Sequence, residues 1–286
     1  MSNIFTTLAN LNEIKSVAIG CFDGLHRGHF ELFKHLEKNS ALIIIDKKRK
    51  QSLTPFFMMK ELVSFKLIFL DFESIKNMSG KEFLASLEKE FVNLEKIVVG
   101  YDFAFGKDRL YKALDIQKLS RIPCVVVDEF KLNNISVHSK QIREFLSRGE
   151  IERANFFLGR NYTIKARIIK GQGLGKKELL PTLNLELNDE FLLPLNGVYA
   201  SFTKIENKSF KSVSFVGNRL TTDGNFSVET HILDESFKEL EQGEISISFK
   251  AFLRQNQKFD NLKELKKSIE KDCKKALEIL KEKDER

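Results

Sequence analysis

Ten consecutive residues, Gly20-Cys21-Phe22-Asp23-Gly24-Leu25-His26-Arg27-Gly28-His29, set two imidazoles three positions apart among glycines. On the first turn of a helix, residues i and i+3 share a face, so both rings can reach the same phosphates. Neutral imidazoles donate hydrogen bonds; protonated ones offset charge developing on a pentacoordinate phosphorus. Glycines let the backbone approach such a ligand closely. Zinc is the weaker reading, because two histidines without a third ligand nearby leave its site incomplete. His35 and His138 read as satisfied or solvated imidazoles, and Cys21 as packed rather than reactive.

A second group lies downstream. Gly171-Gln172-Gly173-Leu174-Gly175-Lys176-Lys177 is a glycine-rich turn without the strand–GxxxxGK[ST]–helix frame of a P-loop. Pro181-Thr182-Leu183-Asn184 is more informative. A hydroxyl and an amide on one strand face can share a magnesium ion and a terminal phosphate oxygen. Val228-Glu229-Thr230-His231-Ile232 puts a carboxylate in an apolar, alternating strand. Desolvated, it would have a raised pKa and could take a proton from a substrate alcohol. The alternative is an ordinary outward-facing strand glutamate.

The elements that must position these residues fall into two textures. Over the first 160 residues, KSVAIGCF, ALIIID, KLIFLDF, EKIVVGYDF and PCVVVDEF are near-continuous apolar runs, as expected of strands buried on both faces. Amphipathic segments separate them: HFELFKHLEKN, SGKEFLASLEKEFVN and DRLYKALDIQKLSRI. That alternation predicts a doubly wound α/β unit, whose ligands bind beyond the carboxyl ends of its strands. Two more helices, SKQIREFLSRG and EIERANFFLG, end at Gly149 and Gly159, where helix stops belong. From about residue 161 the pattern has period two: YTIKARIIKG, TLNLEL, GVYASFTKI, FKSVSFVG, FSVETHILD and EISISFKAFLR. This predicts an antiparallel sheet closed into a small barrel, followed by one long helix from about Asn261. The domains expected are 1–160 and 161–286.

Length and composition narrow the class. With 286 residues, 42% hydrophobic and 30% charged, the chain can bury a core without staples. Three cysteines make no disulfide framework and suit a reducing, cytoplasmic setting. No apolar run approaches a membrane span. The net charge of +7 suits anionic small substrates as well as nucleic acid. Because lysines interleave with glutamates in the last 26 residues, a solvated helix face is the better reading. Small-molecule substrates are therefore expected, with no nucleic-acid or membrane partner, in a monomer or weak homo-oligomer.

GCFDGLHRGH resembles the GxFDGxHxGH signature of the adenylyltransferase domain in bacterial bifunctional riboflavin kinase/FAD synthetases. Gly100-Tyr101-Asp102-Phe103-Ala104-Phe105-Gly106 is similar to that family's GxDFxFG segment, and Ile142-Arg143 to the end of its SSTxIR. Pro181-Thr182-Leu183-Asn184 resembles the PTxN of its flavokinase half, and Val228-Glu229-Thr230-His231-Ile232-Leu233-Asp234 its VExHxLD. Pro194 to Ala200 resembles PxxGVYA, and Leu253-Arg254 through Lys258-Phe259 resembles LRxExKF. The resemblance runs from about Ser16 to Ile279.

It implies a Rossmann-like nucleotidyltransferase domain, then a riboflavin kinase-like barrel with a C-terminal helix. ATP is the implied co-substrate with Mg2+, and riboflavin, FMN and FAD the substrates and products. In the first domain, His26 and His29 would stabilise the transition state. Gly20, Phe22, Asp23, Gly24, Gly28, Ser139 and Arg143 would line the nucleotide site, with Asp102 and Phe103 towards the flavin. In the second, Gly171, Gly175 and Lys176 would cover the phosphates, and Thr182 and Asn184 would hold Mg-ATP. Glu229 would be the base, and Arg254 would contact a ligand. The chain departs from the family pattern at His138-Ser139-Lys140, where Ser-Ser-Thr is usual, and in IIIDKKRKQ, where Phe-Asp-x-x-Pro is usual. Leu179 replaces a loop glycine, and Leu220 a turn proline. Two other readings stay open: a riboflavin kinase with a weak or silent second domain, and a non-catalytic binder of flavin nucleotide or nucleic acid.

Overall fold

The computed structural model describes residues 4–7, 10–170, 179–187, 190–234, 237, 240 and 242–281. The chain divides into two compact units, residues 1–139 and 140–286. The expected Gly171, Gly175 and Lys176 lie outside the described residues.

In the first unit the five apolar runs form β2 (Ser16–Gly20), β3 (Ser40–Asp46), β4 (Lys66–Asp71), β5 (Lys96–Gly100) and β8 (Cys124–Val127). With β1 (Phe5–Thr6) at one edge, the sheet order is β1-β4-β3-β2-β5-β8. All pairings are parallel except β1 on β4. Alternate residues serve opposite faces. Val17, Ile19, Ile43, Ile97 and Val99 meet Phe83, Leu84 and Leu87 of α4 (Gly80–Glu90). Ala18, Leu42, Ile44 and Val98 meet Phe22, Leu25 and Phe33 around α1 (Arg27–Phe33), and Met59 of α2 (Phe56–Leu62). The chain leaves β2 towards β3 and returns on the other side at β5, so the ends of β2 and β5 flank a topological switch point.

One predicted helix is corrected. Over residues 108–122 only α5 (Ile116–Leu119) is α-helical, and the four-residue α3 (Phe72–Ile75) directly follows β4. Asp108 and Arg109 adopt positive φ, and β6 (Ala104–Phe105) pairs with β7 (Tyr111–Lys112) as a hairpin. Tyr111 lies so close across Gly80 that a Cβ there would meet its ring at 2.6 Å. The helical spacing of apolar residues is met instead by tertiary packing. α1 is also shorter than the periodicity from His29 to Asn39 suggests. A last two-residue pair, β9 (Lys131–Leu132) and β10 (Ile135–Ser136), follows β8.

α6 (Ser139–Ser147) starts on the last residue of the first unit, and α7 (Ile151–Leu158) ends at Gly159 in the left-handed conformation. Both group with the barrel rather than with the sheet. Asn155 explains why: its amide donates to Phe249 O at 2.8 Å and accepts from Tyr162 N at 2.7 Å.

All six period-two segments are strands: β11 (Tyr162–Ile169), β12 (Leu183–Leu187), β13 (Gly197–Ile205), β14 (Lys208–Asn218), β15 (Phe226–Ile232) and β16 (Glu244–Gln255). They close in the order β11-β12-β15-β14-β13-β16, antiparallel throughout. The interior is not purely apolar. Ser201, Thr203, Ser212, Ser214 and Thr230 are fully buried and satisfy one another at 2.7–3.0 Å, as buried hydroxyls must. On the outer wall Val198, Ala200, Val213, Ala251 and Leu253 pack against Ala276 and Leu280 of α8 (Leu262–Lys281). The charged final segment thus keeps one buried stripe, Asp272, Ala276 and Leu280 at i, i+4 and i+8. Among the described residues no helix is long and apolar enough to cross a membrane.

Candidate active sites

The first candidate is a cleft of about 580 Å³ lined by residues beyond the ends of β2 and β5, including Gly20, His26, His29, Tyr101, His138 and Ser139. His26 is the N-cap of α1. Its Nδ1 accepts from His29 N, and His29 Nδ1 accepts from His26 N, each at 3.3 Å. This is a capping box made of two histidines. Because both Nδ1 atoms accept from backbone N–H groups, each neutral ring carries its proton on Nε2. The rings stack with centroids 3.5 Å apart and planes 17° apart, and both residues line the cleft. Gly28 is needed for this geometry: a Cβ there would meet the His26 ring and Val137 O at 3.3 Å.

The other predicted residues of this site divide by role. Phe22 is buried in the core, edge-on to His29 at 5.3 Å, and supports that ring from behind. Asp23 differs from the expectation of a ligand contact. Its Oδ1 accepts from Leu53 N at 2.8 Å and its Oδ2 lies 3.4 Å from Arg49 Nη1. A buried carboxylate must be partnered, and this one pins the segment after β3 to the loop. Gly24 has φ of 90°, and Gly20 lies against the Phe22 ring. Ser139 Oγ donates to Asp23 O at 2.6 Å. Asp102 is exposed, while Phe103 is half-buried and stacks on Phe105. Arg143 lies on α6, which groups with the second unit. Burial raises the Cys21 thiol pKa, although Lys47, Arg49 and Arg109 oppose the shift.

Sequence reasoning missed one cluster here. Tyr101 OH donates to Glu129 Oε1 at 3.1 Å and lies 3.1 Å from His138 Nε2. Lys131 and Ser136 hold the same carboxylate, and with Tyr101 they bring its pKa down to about 2. Desolvation, then Glu129, pushes the Tyr101 phenol up to about 12. Of the two expectations for His138, a satisfied or a solvated imidazole, the structure has the first, and the residue also lines the cleft. Glu129 and His138 stand 28 and 37 positions along the chain from Tyr101, so no local spacing announces them.

The second candidate is on the outer wall of the barrel. Across β14 and β15, Ser214 pairs with Thr230 facing inward, so the next pair, Phe215 and Glu229, faces outward. Asn184 is the register partner of Glu229 across β12 and β15. Thr182, two residues earlier on the same face, has Oγ1 3.5 Å from Glu229 Oε2. Three predicted residues therefore converge although 45 positions separate Asn184 from Glu229 along the sequence. The carboxylate is not in an apolar niche, which corrects the expected surroundings. Ser227 Oγ donates to its Oε1 at 2.9 Å, and Arg219 Nη1 lies 3.5 Å away. Its side chain is 19% exposed despite facing outward.

The cover comes from the 219–222 turn, the 254–259 segment and α8. Together with Thr182 and Glu229 they line a cavity of about 140 Å³. Arg254, expected at a ligand, forms a bidentate pair with Asp272 of α8: Nε lies 3.1 and 3.0 Å from its two carboxylate oxygens, and Nη2 2.9 Å from Oδ2. Burial raises the Asp272 pKa, with Arg254 opposing. Arg219 bridges Glu229 to Asp223, and its Nε is buried without a hydrogen-bond partner among the described residues. A cavity this size is below the ~300 Å³ usual for small-molecule pockets.

Thr182 Oγ1 and the Asn184 amide oxygen would suit Mg2+, which prefers few protein ligands supplemented by substrate phosphates, and they leave the neighbouring Glu229 carboxylate as a base. Among the described residues no group of three or more His, Cys, Asp or Glu could hold a metal ion.

Comparisons with known proteins bear on both regions. Residues 158–280 match the riboflavin kinase family and residues 56–141 the FAD synthetase family. A bifunctional riboflavin kinase/FMN adenylyltransferase of Buchnera aphidicola subsp. Acyrthosiphon pisum is 30% identical over 94% of this chain and 95% of its own length. The chain belongs to the bifunctional riboflavin kinase/FMN adenylyltransferase family. Relatives of the same name from Listeria monocytogenes and Bacillus subtilis are each 28% identical, covering 90% and 93% of this chain and 90% and 92% of themselves. A crystal structure described as a macrolide-efflux protein from Streptococcus pneumoniae superposes with a TM-score of 0.80, covering 91% of this chain and 92% of that one. At 23% identity that likeness speaks to the fold alone.

Proposed function

We infer that the chain converts riboflavin to FMN in the barrel region and FMN to FAD in the α/β region, with ATP as co-substrate in both. Membership of the bifunctional family and the presence of both matched domains support the two activities. The observation carrying the residue assignment is the convergence of Thr182, directly before β12, with Asn184 of β12 and the outward-facing Glu229 of β15.

In the first reaction Glu229 takes the proton of the terminal ribityl hydroxyl. That oxygen attacks the γ-phosphorus of ATP, and the bond to the β-bridging oxygen breaks to release ADP. Thr182 and Asn184 would hold Mg2+, which when bound neutralises phosphate charge. The catalysis is mainly positioning and electrostatic stabilisation. In the second reaction an FMN phosphate oxygen attacks the α-phosphorus of ATP, and pyrophosphate leaves. The Nε2–H edges of His26 and His29 would stabilise the oxygens of the pentacoordinate phosphorus. Arg143, Asp102 and Phe103 keep the nucleotide and flavin roles implied by the resemblance, with the activities divided near residue 160.

The test is product analysis after incubation with riboflavin, ATP and Mg2+. FMN and FAD together support this reading, and chelation of Mg2+ should then abolish both. FMN alone would demote the α/β region, while neither product would leave a binding protein.

A further inference from the structure

We propose that His138 is a third imidazole of the adenylyl-transfer cleft, a phosphate ligand for ATP and the departing pyrophosphate, held for that task by Tyr101 and Glu129. The proposal rests on the reading of this cleft as the FMN adenylyltransferase site.

The direction of the hydrogen bonds carries the argument. An ionised Glu129 carboxylate can only accept, so the Tyr101 hydroxyl donates to it. The lone pairs of the Tyr101 oxygen are then left to accept from His138 Nε2–H at 3.1 Å. Lys131 pairs with Glu129 Oε2, and Ser136 donates to the same Oε1 as Tyr101, so the chain of donors has one sense: His138 to Tyr101 to Glu129. His138 Nδ1 is the nitrogen left for a ligand of the cleft that His138 lines. Taken up as the imidazolium, the ring donates from both nitrogens, one to Tyr101 and one to a phosphate oxygen.

Its backbone neighbours fix where that ring stands. Val137 O approaches Gly28 so closely that a Cβ there would meet it at 3.3 Å, and the same Cβ would meet the His26 ring at 3.3 Å. On the other side, Ser139 Oγ donates to Asp23 O at 2.6 Å. His138 is therefore bracketed by two contacts to the loop that carries His26 and His29. Tyr101 and Glu129 act through His138 and are positioning residues.

The experiment is steady-state FAD formation from supplied FMN, with riboflavin phosphorylation measured on the same preparations as a control for folding. His138→Ala should raise the KM for ATP about 10- to 100-fold, the scale of a lost charged hydrogen bond. It should weaken product inhibition by added inorganic pyrophosphate in parallel. The KM for FMN and the kinase rate should stay unchanged. Tyr101→Phe should give about a threefold effect of the same kind, and the two substitutions together should do no more than His138→Ala alone. An unchanged ATP KM, an effect falling on FMN instead, or additive losses would overturn the proposal. A wild-type protein that forms FMN but no FAD would remove the reading of the cleft itself, and the proposal with it.

Discussion

The two candidate sites are built by opposite means. The cleft of the first unit takes its central pair from four consecutive residues, and each histidine is oriented by the backbone N–H of the other. The barrel site takes Asn184 and Glu229 from two strands that meet only through closure of the sheet, and Thr182 from the residue directly before the first of them. A local site tolerates distant rearrangement but not a change inside its turn. A register-built site tolerates loop changes but depends on every strand between its parts. The same contrast appears in their charged neighbours. Asp23 is spent on holding its loop, whereas Glu229 meets Ser227 and Arg219 and still faces a cavity.

Substitutions can break this comparison. The largest effect should come from Glu229→Gln, which keeps the shape but removes the base. FMN formation should fall about 10²–10⁴-fold, with FAD formation from supplied FMN unaltered. Parallel loss of both steps would mean the activities are not divided as described. His29→Ala should do the reverse, lowering adenylyl transfer about 10²-fold, the scale of one lost transition-state donor. Full retention of FAD formation would show that the stacked pair serves the fold only.

Smaller changes sharpen the contrast. Asp272→Asn removes the charge that holds Arg254 against α8. The KM for riboflavin should change by about tenfold with little change in kcat for adenylyl transfer, given ~1.5–3 kcal/mol for a charged hydrogen bond. Gly28→Ala should cost FAD formation only about three- to tenfold, because a methyl group at 3.3 Å displaces the His26 ring by tenths of an ångström. If Gly28→Ala proved as damaging as His29→Ala, the His26 ring would be held far more tightly than its stacking contact implies.

Much of the architecture is legible in the chain. The five apolar runs and six alternating segments all became strands, because burial on two faces or one leaves a direct mark on composition. The helix expected over residues 108–122 did not form, because Tyr111 packs across Gly80 and Gly106 instead. The site residues show the same division. His26 and His29 could be paired from spacing alone. Asp272, Tyr101 and Glu129 could not be assigned partners, because their contacts cross between elements 18 to 28 residues apart in sequence.

What the amino-acid order determined alone is short-range: two architectures, the histidine turn and the left-handed helix stop at Gly159. Tertiary structure decided the rest, above all that Glu229 faces outward beneath α8 while Thr230 beside it joins the buried hydroxyls. Side chains alternate with a period of two, so a slip of one residue in pairing would exchange those positions. Only the register imposed by all six strands closing together selects one of the two.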